Sequence, residues 1–149
     1  MIFLFPRGTD TTALAVRTAT TAILITTVTA MARITTRTTT GRPTTAIQAA
    51  NAVGSAKTKV GGTMLYKDNA GTATLGTDLK IYFTCNGGTN WTEASSYSAI
   101  TPVYSTGIKQ VRLGETTCTS GTDIRYKAVW ANQASGSKET QLHGIGINY

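Results

Sequence analysis

From Asp78 to Trp91 the chain reads Asp-Leu-Lys-Ile-Tyr-Phe-Thr-Cys-Asn-Gly-Gly-Thr-Asn-Trp, and apolar and polar positions alternate through most of it. Leu79, Ile81, Phe83 and Cys85 share one face of an extended segment, and Lys80, Tyr82 and Thr84 share the other. The run stops at Asn86-Gly87-Gly88, residues that accept positive φ, so the pattern predicts a half-buried strand entering a tight hairpin. The same period of two returns in Asp123–Ala131, where Ile124, Tyr126, Ala128 and Trp130 alternate with Arg125, Lys127 and Val129.

Further strands are predicted at Thr63–Asp68, Trp91–Glu93, Ile108–Leu113 and Gln141–Tyr149. Turn-forming residues separate them at Asn69-Ala70-Gly71, Thr119-Ser120-Gly121 and Ser135-Gly136-Ser137. Short strands at this spacing, with no helical stretch between them, predict an all-β domain over residues 60–149: an antiparallel β-sandwich or jelly-roll-like fold with Ile81, Phe83, Ile124, Tyr126 and Trp130 in its core.

Residues 1–59 read differently. From Thr9 to Thr45 threonine and alanine dominate, the β-branched threonines favour extended backbone, and hydrophobic periodicity is poor. Ala22–Ile25 and Val28–Met31 would make a strand pair or buried ribbon, whereas Thr35–Thr45 has almost nothing to bury. This predicts an extended Thr-rich arm that neighbouring subunits would order. The same composition also results when an Asp/Asn/Ser-rich coding stretch is translated one base out of frame, and both readings stay open here.

Charge follows the same division. The formal net charge of the 149 residues is +7, yet residues 1–60 carry seven basic groups against Asp10 alone, while the remainder is nearly balanced. A basic, acid-poor arm suits an acidic surface or a partner subunit, with Arg17, Arg33, Arg37 and Arg42 as the assembly residues. Nucleic acid fits poorly, because no aromatic residue lies between Phe5 and Tyr66 to stack a base. Thr18–Ala32 imitates a signal peptide, but threonine dilutes its apolar core, and it falls short of the roughly 20 apolar residues of a membrane span.

Candidate chemistry is sparse. The single histidine, His143, sits in the last predicted strand, and the acids Asp78, Glu93, Glu115, Asp123 and Glu139 fall at turns and strand ends without forming a spaced carboxylate pair. Two cysteines and one distant histidine have no metal-ligand spacing. The expectation is therefore a protein that is not an enzyme and holds no cofactor. Cys85 and Cys118 would form one disulfide if their strands are neighbours, or would remain buried thiols; a reducing cytosol favours thiols. Trp91, Trp130, Tyr82, Tyr97, Tyr104 and Tyr126 offer sugar-stacking surfaces or core packing, with Trp130 placed in the core and the loops around Tyr97 and Tyr104 as the candidate surface-recognition residues.

Two resemblances add to this. Thr84, Asn86, Gly88, Asn90 and Trp91 resemble the Asp-box turn of sialidases and related β-proteins, which implies the turn and not the activity. Across Val60–Tyr149, the order of Tyr66–Leu79, Thr106-Gly107-Ile108-Lys109, Tyr126–Glu139 and Gly144-Ile145-Gly146-Ile147-Asn148-Tyr149 resembles the C-terminal β-domain of structural proteins of marine tailed-phage virions. That resemblance implies a virion location as a tail fibre, tail or capsid-decorating subunit. The partners it implies are other virion subunits, further copies of the chain as a homo-oligomer, and a host cell-surface glycan. The rival from another class is a secreted carbohydrate-binding module or adhesin.

Overall fold

A computed structural model describes residues 44–134 and 137–149, with the side chains of 101–105 also outside the description. Eight strands follow in chain order: β1 Thr44–Ile47, β2 Ala52–Ala70, β3 Leu79–Thr84, β4 Thr92–Glu93, β5 Tyr97–Ser105, β6 Ile108–Asp123, β7 Arg125–Trp130 and β8 Glu139–Asn148. They form two antiparallel sheets ordered β1-β7-β3-β4 and β5-β6-β2-β8, which pack as a β-sandwich. The all-β antiparallel fold expected from the sequence is the observed one.

The alternation in the sequence supplies the inner faces. Leu79, Ile81, Phe83 and Cys85 are fully buried from the first sheet, joined by Ala46, Tyr126, Ala128 and Trp130 from β1 and β7. Val60, Met64, Tyr66, Val111, Leu113, Cys118 and Leu142 close the core from the second sheet. Register fixes these faces, because a slip of one residue would turn every apolar side chain to solvent.

Three elements differ from the sequence reading. The sandwich begins before Val60: β1 pairs with β7, and Ala52–Lys59 forms the first part of β2. β5 is a strand absent from the sequence reading; it carries Pro102, which is tolerated here because β5 lies at a sheet edge. Thr119-Ser120-Gly121 lies within β6 and is no turn. Gly121 serves close approach instead, for a Cβ there would sit 2.2 Å from the Cys85 carbonyl oxygen. The N-terminal assembly residues Arg17, Arg33, Arg37 and Arg42, and the Ala22–Ile25 and Val28–Met31 segments, lie outside the described residues.

Two aspartates pin the β3–β7 pair at its two ends. At one end, buried Asp78 accepts hydrogen bonds from the Thr74 amide (2.7 Å), Asn132 Nδ2 (3.1 Å) and Lys138 Nζ (2.9 Å), while its carbonyl receives the Ala131 amide. At the other, Asp123 receives the Asn51 amide (3.0 Å) and Arg125 Nε (3.0 Å), with a further bond from Arg125 Nη2. Its own amide donates to the Cys85 carbonyl, and its carbonyl receives the Gly87 amide.

Burial alone would raise the Asp78 pKa, but the bonds from Lys138, Thr74 and Asn132 together hold it below the ordinary 3.8. Asp123 is also lowered, chiefly by the Arg125 hydrogen bond acting against burial. A depressed folded-state value means that stability is present above the unfolded value of 3.8 and lost as pH falls through the folded one. Urea midpoints should therefore hold down to pH 3.8 and drop as pH falls from there toward the folded values, and Asp123→Asn should flatten the drop; an unchanged acid profile would show that the Asp123 carboxylate contributes nothing to it. Separately, Trp130→Ala removes a fully buried indole and should cost about 3–5 kcal/mol, read from denaturant midpoints.

Candidate surface-recognition site

The outer face of the first sheet carries the most chemically distinctive surface. Register sets Ile47, Lys127, Tyr82 and Glu93 side by side across β1, β7, β3 and β4. Lys127 Nζ lies 4.7 Å from the Tyr82 ring centroid and 4.7 Å from that of Trp91, so one ammonium bridges two aromatic faces. Partial burial pushes the Lys127 pKa down. Lys80 Nζ stands 3.7 Å from Glu93 on the same face.

Trp91 is delivered by the turn after β3. Thr84 Oγ1 donates to Asn86 Oδ1 (2.8 Å) and accepts from the Gly88 amide (3.2 Å), and the Asn90 amide donates to Asn86 Oδ1 (3.0 Å). Gly87 and Gly88 take φ of 70° and 94°, which L side chains rarely adopt. The chain does turn at Asn86-Gly87-Gly88, but more widely than a two-residue hairpin, since β3 and β4 pair only from Phe83 and Thr92 inward. Thr84 thus works within the turn, and it is fully buried although it belongs to the polar set of β3.

Chemically, such a surface can contact a sugar or a carboxylated ligand, with the aromatic rings for C–H faces and the lysine for an anion. The ammonium covers the ring faces that a stacked sugar would need. A ligand must therefore displace Lys127 or bind at its edge.

The other expected site residues are distributed elsewhere. Tyr97 is half-buried: its ring packs against the core, and its hydroxyl accepts the Ile81 amide at 2.8 Å, so the hydroxyl is already engaged within the fold. Burial pushes its pKa far above the usual tyrosine value. Tyr104 lies in β5, with its side chain outside the description. Trp130 and Tyr126 belong to the core. His143 is half-buried in β8, at a register shift opposite Leu65 and Tyr66. Lys127 was the partner the sequence reading missed; its outward parity in β7 was visible, but the register that places it beside Tyr82 was not.

Cys85 and Cys118 approach from the two sheets and are both buried free thiols within hydrogen-bonding reach of each other. Burial raises both pKa values, that of Cys118 to about 11, so neither is a reactive thiolate at neutral pH. Among the described residues no group of three or more His, Cys, Asp or Glu could hold a metal ion. Nor, among them, is any helix long and apolar enough to cross a membrane.

Comparison of the chain with protein-family models, with curated proteins and with solved structures gives no match.

The thiol assignment is open to direct test. In native buffer an aromatic disulfide reagent should titrate almost no thiol, and after unfolding in denaturant without reductant it should titrate both cysteines. Finding no free thiol in the unfolded chain would instead establish a Cys85–Cys118 disulfide.

Proposed function

We propose that the chain is a non-enzymatic structural subunit of a tailed-phage virion, a tail fibre, tail or capsid-decorating protein that works through assembly and through attachment to a host-surface glycan. The observation that carries this reading is how the sandwich uses its acids. Of the six acids among the described residues, Asp68 is ion-paired with Lys109, Asp78 with Lys138, Glu93 with Lys80, Glu115 with Lys59 and Asp123 with Arg125. Carboxylates spent in this way suit a rigid scaffold better than acid–base catalysis. The ordered resemblance over Val60–Tyr149 points to virion structural proteins in particular, with the basic arm meeting acidic neighbours.

A secreted carbohydrate-binding module or adhesin is the second reading, favoured by the Tyr82–Lys127–Trp91 surface. The closed geometry of that cluster makes it secondary.

Immunogold labelling with an antibody to residues 44–149 tests the choice. Particles released by cells that express this gene should be decorated. Antigen found only as soluble secreted protein would overturn the virion reading. Quenching of tryptophan fluorescence by a simple sugar, lost in Trp91→Ala, would then favour the second.

A further inference from the structure

Of the sheet edges, β1 is four residues long and β4 two, too short to template much pairing. β5 carries Pro102 and an irregular register after Ile100. Where β2 runs beyond β8 it carries Lys57 and Lys59, and its pairing with β6 is repeatedly shifted. Short strands, proline, lysine and bulges are the devices that keep sheet edges from joining.

The second half of β8 has none of them. Gly144–Asn148 pairs with β2 in unbroken register from Leu65 to Gly61, and it contains neither proline nor a charged residue. β8 ends the order of its sheet, so among the described residues no strand lies on its other side. At the end of this segment stands Tyr149, 45% exposed and the exposed large hydrophobic of the described chain.

We infer that this edge is the site at which a second copy of the chain adds, antiparallel about a twofold axis at Gly146, joining two four-stranded sheets into one. Self-pairing suits this segment for a specific reason. About a twofold axis the central residue opposes its own kind and the flanking ones exchange, and a strand without charges creates no like-charge opposition. The register sets Ile145 across from Ile147 and Gly144 across from Asn148, with the exposed Tyr149 next beyond the paired segment. Main-chain hydrogen bonds supply the affinity and the apolar alternation sets the register.

The pairing deepens the assembly reading given above and rests on it for the premise that copies associate. Gly146 provides the test, because a Cβ built there meets nothing within 4 Å and a side chain is accommodated in the single chain. The full-length purified protein should sediment at twice the chain mass at high concentration. Gly146→Lys places two ammonium groups opposite each other and should weaken association roughly a hundredfold with the circular dichroism unchanged. Gly146→Val, neutral and β-branched, should keep the dimer.

A wild-type chain that sediments singly at every concentration overturns the inference. So does a dimer indifferent to Gly146→Lys, and so does a single chain in which the Gly144–Asn148 amides turned away from β2 also resist hydrogen exchange, since another segment of the same chain would then cover the edge. Labelled particles with a chain that stays single would sink the pairing alone, whereas a dimer found only as soluble secreted protein would sink the virion reading alone.

Discussion

The fold depends on the corner at Asp123. There the chain leaves the second sheet at the end of β6 and enters the first at β7, with only Ile124 between, and a sandwich whose strands change sheets must satisfy the backbone at such a corner. Asp123 does so with its amide on the Cys85 carbonyl, its carbonyl on the Gly87 amide, and its carboxylate on the Asn51 amide and Arg125. The end of β3, the approach to β2 and the start of β7 are thereby fixed to one residue. Ile124, fully buried, then fills the space between the sheets at that point.

With that corner set, Asp78 does the equivalent task at the far end of the β3–β7 pair, and Asp68 does it where β2 ends, accepting the Ala73 amide and Lys109. All three aspartates combine backbone donors with a cation. A carboxylate held by backbone amides is fixed in place without relying on a single surface ion pair, which alone would contribute about 0–1 kcal/mol. The turns are therefore as well determined as the strands. The loop that presents Trp91 inherits this: its hydrogen bonds run from Thr84, at the buried end of β3, outward to Asn86 and Asn90.

What the sequence shows directly is whatever obeys a local rule. Leu79, Ile81, Phe83, Tyr126 and Trp130 follow a strict period of two, and they are core. Thr44–Ile47 and Ala52–Lys59 escaped because small residues and threonines carry little alternation, and their pairing with β7 and β6 is a long-range matter. Pro102 and Gly121 are each evidence against a strand by local rules, and the sheet admits both, one at an edge and the other at a close backbone approach. The same limit hid the candidate site. Tyr82, Trp91 and Lys127 are separate polar-face residues until register brings them together, and Tyr97 was read as exposed because nothing local reveals that its hydroxyl reaches the Ile81 amide.

With Asp68, Asp78 and Asp123 occupied within the fold, what remains for outside partners is the sheet surface and its edges. The first sheet presents a face whose aromatic rings are already bridged by Lys127, so a ligand there competes with an existing intramolecular contact and gains only the difference. The open edge of β8 faces no such competitor among the described residues: its outward backbone groups exchange water for another strand. An edge with backbone groups to satisfy and no charge to repel its own image favours association of like with like. The aromatic face is the part suited to a different molecule, and a sandwich with both can assemble through one surface and recognise through the other.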